Sequence, residues 1–553
     1  TEQWFVSMSV NDLRERALRE VEKVEWIPRW GRERIKGMVE NRPDWCISRQ
    51  RKWGVPIPVW RCANKECGPE REFLISADAM NNVADIFERE GSDVWFAEDG
   101  PWAPGDLDPL LPPGATCPKC GDAKLVRDTS ILDVWFDSGA SWAGVLERRE
   151  NLRRPPGEGP PADMYLEGSD QHRGWFQSSL LVSVATRDAA PYRTVLTHGF
   201  VVDEDGRKYS KSTPNFVPPE KIIKNQGAEI LRLWVSAEDY SREISFSDDI
   251  LKQLNEAYRK IRNTCRFLLG NLADFDPARD RVPAARMLGI DRWALHRLAK
   301  LIERVVRGYE KYELHVVFHA LNQFCTVDLS SLYLDILKDR LYCDGERSPE
   351  RRSGQTVLYE TLQALTSLMA PVLSFTAEEI AGHIPGEKRP SVHLGGFPGV
   401  DPAWKNDALA EEYDRLLKIR GEAGKAIEAA RQQKLIGSST EAKVELDVSD
   451  EDREFLEKWL SAEEKKRREL FDFFLVANIV FRPLPPKMVT EGRDQIFVSD
   501  LVKGMRVRVG AVDEDWSKCA RCWVYRSDVT MDGDYAGACG RCRKVLAGRG
   551  AAA

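Results

Sequence analysis

Residues Met164 to Phe176 read MYLEGSDQHRGWF. An apolar run gives way to a polar turn bearing Gly168 and Gly174, and Gln177 to Thr186 then continues as an apolar helix. Strand, glycine turn, helix is the repeating unit of a doubly wound α/β sheet, in which ligands sit at the carboxyl ends of the strands. Asp170 has the chemistry to hold ribose hydroxyls and Trp175 to wall an apolar pocket. Taken singly, the same residue types also serve as a helix N-cap and a core aromatic.

Working outward, Ile131 to Gly139 (ILDVWFDSG) is an apolar run ending in a polar turn. It predicts a buried parallel strand that delivers residues to its carboxyl end. On the other side, Thr197 to Asn215 (THGFVVDEDGRKYSKSTPN) predicts a strand, a turn at Asp203 to Gly206, and a basic loop through Arg207, Lys208, Tyr209, Ser210, Lys211 and Ser212. Two lysines and two serines after a glycine turn can surround a polyphosphate, although solvated Lys/Ser turns are also common. Trp45 to Pro58 (WCISRQRKWGVPIP) is basic and aromatic, which fits either a nucleic-acid contact or an arginine-laced surface turn.

With 553 residues, the chain is too long for one core. A net charge of -7 argues against a histone-like polycation and leaves room for local basic patches. No apolar run reaches membrane-spanning length, and no secretory signal pattern is present, so the expectation is a cytoplasmic protein without a membrane partner. Of 12 cysteines, Cys62/Cys67, Cys117/Cys120, Cys519/Cys522 and Cys539/Cys542 are paired. Such pairs in a large chain read as zinc ligands. The terminal C-x2-C pairs, with a short segment between them, predict a zinc ribbon. Its arginines, lysines and Trp523 favour an RNA-facing knuckle over a purely structural staple. Cys62, Cys67, Cys117 and Cys120 predict a second closed zinc site, with a metal-free knuckle as the alternative. Cys46, Cys265, Cys325 and Cys343 read as small core hydrophobes.

Seven segments follow from the changes of pattern. They are a return into an α/β core (1–60), a zinc-bearing insertion (61–125), the α/β half with the basic loop (126–247), and an all-α bundle (248–437). A small α+β module (438–510), the zinc finger (511–546) and a disordered tail (547–553) complete the chain. In the bundle, Leu254, Ala257, Tyr258, Ile261, Cys265 and Leu268 recur on one helical face, and His296, His315 and His319 read as structural.

In this order the pieces resemble the bacterial isoleucyl-tRNA synthetases, class I aminoacyl-tRNA synthetases, over essentially the whole chain. The resemblance rests on WCISRQRKWGVPIP, DVWFDSG, LEGSDQHRGWFQSSLL, the KYSKS stretch at Lys208 to Ser212, and the terminal cysteine quartet. It implies the second half of a class I Rossmann-type catalytic core, then an anticodon-binding bundle. It further implies activation of L-isoleucine by ATP with Mg2+ and transfer to tRNA(Ile), in a monomer. Carried over, Glu167 and Gly168 contact the adenylate, Asp170 its ribose and Gln171 the aminoacyl part. Trp135 and Trp175 line the side-chain pocket, His198 and Gly199 join the nucleotide site, and Lys208, Ser210, Lys211 and Ser212 act on the triphosphate.

Within KYSKS, Tyr209 stands where the family has Met, and Thr213-Pro214-Asn215 where it has Leu-Gly-Asn. No HIGH-type segment is found, and the editing insertion is absent apart from a trailing edge near Trp4 to Met8. The chain therefore reads as a carboxyl-terminal fragment, or as one chain of a split enzyme needing a separate amino-terminal half. The alternatives are a non-catalytic tRNA-binding zinc protein derived from a synthetase, and a valyl-type enzyme.

Overall fold

The computed structural model describes residues 2–67, 72–97, 108, 110–155, 157–209, 215–461, 464–484, 495–498 and 505–550. It divides into two compact units. The first is Thr1–Val202 with Tyr240–Ile244, and the second is Asp203–Asp239 with Ser245–Ala553.

The first unit opens with β1 (Phe5–Val6), α1 (Leu13–Lys23), β2 (Glu25–Ile27) and α2 (Trp30–Glu40). Short strands β3 (Trp45–Cys46) and β4 (Ser48–Arg49) precede β5 (Trp60–Cys62), β6 (Phe73–Leu74), α3 (Ala77–Glu90), β7 (Leu125–Arg127) and β8 (Ile131–Leu132). Then come α4 (Val134–Gly139), β9 (Ala162–Gly168), α5 (Trp175–Arg187), β10 (Tyr192–His198) and β11 (Val201–Val202). The organising sheet has the order β2-β10-β9 with both pairings parallel, and Thr197 lies opposite Glu167 and His198 opposite Gly168. Every residue of α5 from Phe176 to Val184 is buried, so this helix is enclosed on all sides rather than amphipathic. Its core partners include Trp26, Ile35, Tyr165, Tyr192 and Val195.

One expectation fails here. Ile131 to Gly139 is not a parallel strand: β8 pairs antiparallel with β4 over two residues, and Val134–Gly139 is helical. Asp133 decides this, because its side chain accepts the Trp135 N–H as an N-cap and ends the extended backbone. Val134 and Trp135 are 65% and 41% exposed, so their apolar character does not mark a buried strand. Gly139 allows α4 to lie against α5, since a Cβ there would stand 2.8 Å from the Ser178 carbonyl carbon.

The zinc-bearing insertion is an antiparallel sheet of order β6-β5-β7. It has its own core of Trp60, Ala79, Val83, Ile86, Trp95 and Leu110.

In the second unit, α6 (Pro219–Gln226) and α7 (Ala228–Ala237) are divided at Gly227, whose φ is 91°. After β12 (Ile244–Ser245) comes the bundle: α8 (Asp248–Gly270), α9 (Gly289–Glu310), α10 (Leu314–Gln323), α11 (Leu334–Cys343), α12 (Pro349–Met369), α13 (Ser374–His383) and α14 (Asp407–Gln432). A π-helical stretch, Phe324–Tyr333, joins α10 to α11. On α8 the buried positions are Leu251, Leu254, Ile261, Thr264, Cys265 and Leu268, the face that the period predicts. Deep in the bundle Asp291 and Arg340 form a bidentate pair, joined by the Tyr333 and Ser353 hydroxyls.

The α+β module comprises β13 (Ala442–Val448), α15 (Asp450–Ser461), α16 (Glu464–Phe474), β14 (Asn478–Pro483), β15 (Gln495–Val498) and β16 (Arg506–Ala511), with sheet order β14-β13-β16-β15. The finger follows as hairpin β17 (Ser517–Lys518) and β18 (Tyr525–Arg526), then α17 (Gly540–Gly550). Residues 547–550 continue α17, and the rest of the expected tail, 551–553, lies outside the described residues. Among the described residues, no helix is long and apolar enough to cross a membrane.

Candidate active site and metal centres

Parallel pairing of β9 with β10 sets their carboxyl ends side by side, which places Glu167 and Gly168 next to Thr197 and His198. The chain leaves β9 through a 3-10 turn, Ser169–His172, and enters α5 at Trp175. Gln171 holds this turn: its Oε1 accepts the Trp175 N–H at 3.0 Å and its Nε2 donates to Asp170 Oδ2 at 3.0 Å. Glu167 and Asp170 remain exposed at the strand end. Beyond β10, a Cβ on Gly199 would lie 2.0 Å from the Arg242 carbonyl oxygen, so only glycine fits there.

The two tryptophans flank this turn. Trp175 stacks on Tyr165 with ring centroids 3.9 Å apart, and its indole N–H donates to the Ser138 carbonyl at 2.9 Å. Trp135 comes from the start of α4, and its ring lies against Gly174, where a Cβ would meet it at 2.8 Å. An aromatic wall therefore stands beside Gln171 while carboxylates line the strand ends. Such a site can hold an apolar side chain on one side and hydroxyls or an amine on the other.

Sequence reasoning missed the residues that support this wall. Asp133 is buried, accepts the Trp45 indole N–H at 3.1 Å and pairs with Arg49 at 2.9 Å. Part of Trp45 to Pro58 is thus internal scaffolding, whereas Trp53 is 94% exposed. Nothing in the sequence marks His172 either. It is fully buried, lies 5.5 Å from the Trp30 ring and 6.1 Å from Trp26, and has Nδ1 3.1 Å from the Ser169 carbonyl. A carbonyl only accepts, so Nδ1 carries the proton in this tautomer.

Burial pulls the His172 pKa down to about 4, although the Ser169 carbonyl acts in the opposite direction. The fold accepts the neutral ring. Its contribution is full above the unfolded value near 6.5 and is lost as pH falls through the folded value of about 4. Acidification from pH 7 to pH 4.5 is expected to cost the first unit about 2 kcal/mol through this residue. Melts followed by tryptophan fluorescence should show His172→Gln losing that part of the acid sensitivity; an unchanged pH profile contradicts the assignment.

Of the basic stretch, Lys208 and Tyr209 are described. Ser210, Lys211 and Ser212 lie outside the described residues. The described ends are fixed by Asp203: its carboxylate accepts the Asp205 and Arg207 N–H groups, the Arg207 guanidinium and the Asn215 amide at 2.9–3.1 Å. Asn215 and Arg207 hold the Asp203 carboxyl down at about 2. Tyr209 makes edge contacts with Phe216 and Phe246, with centroids 6.3 and 5.9 Å away.

Both cysteine quartets close up. In each, four Sγ atoms lie within 4.8 Å of one another. The Cys62–Cys120 and Cys67–Cys117 separations are 3.6 and 3.8 Å, and Cys522–Cys539 is 3.9 Å. A tetrahedron with Zn–S bonds of about 2.3 Å requires about 3.8 Å between sulfurs. The four-thiolate donor set and its spacing therefore fit zinc at both places. Of the four lone cysteines, Cys265 and Cys325 are core thiols and Cys46 is half-buried. Cys343, at the end of α11, packs on Cys519, Cys539 and Cys542, and its thiol donates to the Arg521 carbonyl at 3.5 Å. His296 accepts the Asn406 N–H at 3.0 Å, a structural role.

Three family models match in chain order: "tRNA synthetases class I (I, L, M and V)" over residues 1–247, "Anticodon-binding domain of tRNA ligase" over 291–446, and "Zinc finger found in FPG and IleRS" over 517–545. The chain belongs to the class I tRNA synthetases. Within that class it is similar to isoleucine--tRNA ligases. It is 50% identical to that of Geobacter sulfurreducens over 99% of this chain and 55% of that protein. The figures are 50%, 99% and 56% for Syntrophotalea carbinolica, and 49%, 99% and 55% for Carboxydothermus hydrogenoformans. The chain thus spans about half the length of the curated relatives it matches. The terminal quartet is the zinc finger of this family.

Proposed function

We propose that this chain supplies the second catalytic half, the anticodon-binding part and the zinc finger of an isoleucine--tRNA ligase. The reaction joins L-isoleucine to ATP, releasing pyrophosphate, and transfers the activated residue to tRNA(Ile). The observation that carries this reading is the convergence of Glu167, Gly168, Asp170 and Gln171 with Trp135 and Trp175 at the end of β9. About 50% identity to isoleucine--tRNA ligases supports the choice of amino acid.

The amino acid's own carboxylate attacks the α-phosphorus of ATP, so the protein needs no nucleophile. Its task is to position the reactants and to balance charge. On this reading Asp170 accepts from the ribose hydroxyls, and Glu167 with Gly168 contacts the adenylate. Gln171 orients the aminoacyl group against the Trp135 and Trp175 rings, and His198 and Gly199 border the nucleotide. Lys208, Ser210, Lys211 and Ser212 hold the Mg2+-bound triphosphate, and Lys211 stabilises the departing pyrophosphate. Zinc in the terminal finger fixes the fold of a surface that meets tRNA.

The test is to pair this chain with the amino-terminal part of the Geobacter relative and to measure amino-acid-dependent exchange of pyrophosphate into ATP. Exchange with isoleucine well above that with valine is expected; exchange led by valine makes the enzyme valyl-type, and tRNA binding without exchange makes it a binding protein. In the paired enzyme, Lys211→Ala is expected to lower exchange by about a hundredfold, the usual loss on removing one charge-stabilising donor. A rate near the parent's removes Lys211 from the mechanism.

A further inference from the structure

On the helical domain, between the loop that precedes α9 and the start of α12, lies an open hollow of about 400 Å³. Its walls carry Arg279, Arg281, Arg286, Arg347 and Arg352, with Asp280 as the carboxylate among them. In a chain of net charge -7, five guanidinium groups around one hollow are a local reversal of sign.

The hollow is built rather than incidental. The Val282 N–H donates to Thr356 Oγ1 at 3.0 Å and the Leu288 N–H to Ser353 Oγ at 3.4 Å, which ties both ends of the loop to α12. Arg352 forms the floor: its side chain is 11% exposed, and it donates to the Asp274 carbonyl at 3.0 Å and the Gln355 side chain at 2.8 Å. Asp280 is paired with Arg279 at 3.0 Å and lies 3.5 Å from Arg352. Arg281 is matched by Glu360 and lies over the Tyr359 ring, 5.6 Å from its centroid. Among the described residues, Arg286 and Arg347 have no carboxylate partner, and both are exposed on the rim. The positive end of the 21-residue helix α12, with Pro349 at its first turn, opens at the same place.

We propose that this hollow takes backbone phosphates of tRNA, with Arg286 and Arg347 as the contacting forks and Arg352 as the fixed floor. Guanidinium forks match phosphate oxygens bidentately, and a rim cation without an internal partner loses no existing pair when it binds. Phosphate is favoured over a base edge because the lining offers guanidinium donors on exposed rims and no aromatic side chain. The inference rests on the synthetase reading above; Arg347 and Arg352 fall within residues 291–446, which match an anticodon-binding domain, and Arg279, Arg281 and Arg286 immediately precede them.

The test measures binding of this chain to a tRNA(Ile) transcript and to a non-cognate transcript as a function of salt. Arg286→Gln/Arg347→Gln is expected to weaken binding of both transcripts about equally, by tenfold or more. It should also lower the slope of log K against log salt by about 1.5, as two lost phosphate contacts require. Arg286→Lys/Arg347→Lys should keep most of the slope. An unchanged slope and affinity in the Gln variant, with the parent binding normally, overturns the hollow alone. A parent that binds neither transcript overturns the synthetase reading and the hollow with it. A loss confined to the cognate transcript replaces phosphate contact by base readout. Unaltered helical circular dichroism of the variants separates each outcome from misfolding.

Discussion

Arg340→Leu is expected to destabilise the helical domain by about 3–5 kcal/mol, the cost of leaving a buried charge without its partner. Asp291 is 0% exposed and Arg340 3% exposed. Both guanidinium nitrogens donate to Asp291, each at 2.8 Å, and the Tyr333 and Ser353 hydroxyls complete its shell at 2.7 and 2.5 Å. Burial opposes charge on Arg340, but Asp291 more than offsets it and holds the guanidinium above its ordinary range. Remove the arginine, and two hydroxyls are left to solvate a carboxylate that water cannot reach.

The four side chains come from α9, the π-helical stretch, α11 and α12, so the loss is felt at the centre of the bundle. Urea unfolding followed by helical circular dichroism checks the prediction, and a change under about 1 kcal/mol refutes it. The double variant Asp291→Leu/Arg340→Leu removes both charges and should recover much of the loss, because replacing a whole buried pair by apolar groups is often near neutral.

This pair was illegible in the sequence, where charges on amphipathic helices read as solvated faces. The partners lie 49 positions apart, on helices whose rotation only tertiary packing fixes. What was legible is local. MYLEGSDQHRGWF encodes strand, turn and helix within one short stretch, and C-x2-C pairs encode a metal site by spacing alone. Ile131 to Gly139 differs from the expected strand because apolar content does not imply burial: Asp133 starts a helix whose first residues face outward. Cys343 is the opposite case. Its neighbour Arg521 is 178 positions away, so nothing near it in sequence distinguishes it from a core thiol.

Loss of metal from the terminal finger is expected to have the largest effect, and the reason is its lack of any other core. Its buried cluster consists of the thiols themselves with Ala538 and Cys343. Structural zinc held by such a small unit contributes about 10–16 kcal/mol of apparent binding energy, which is then also its folding energy. Cys539→Ser should therefore abolish amide protection across β17, β18 and α17 in hydrogen exchange, and native mass spectrometry should show one zinc fewer.

The effect should also reach α11. Arg541 pairs with Asp339, at 2.7 Å for one of its two contacts, and Arg521 donates to the Cys343 carbonyl and, at 3.3 Å, to that of Tyr342. An unfolded finger releases these partners, and exchange at the end of α11 should rise with it. Cys117→Ser is the informative contrast. The first quartet sits on a module with Trp60, Trp95, Val83 and Leu110 buried beneath it, and with Asp108 paired to Arg127 at 2.6 Å. Apolar burial at about 25 cal/mol per Å² keeps that module folded after its metal is lost. Protection at β5 and β7 should accordingly survive Cys117→Ser, whereas protection at α17 should not survive Cys539→Ser. Retained protection at α17 without zinc would mean that contacts with α11, and not the metal, hold the finger together.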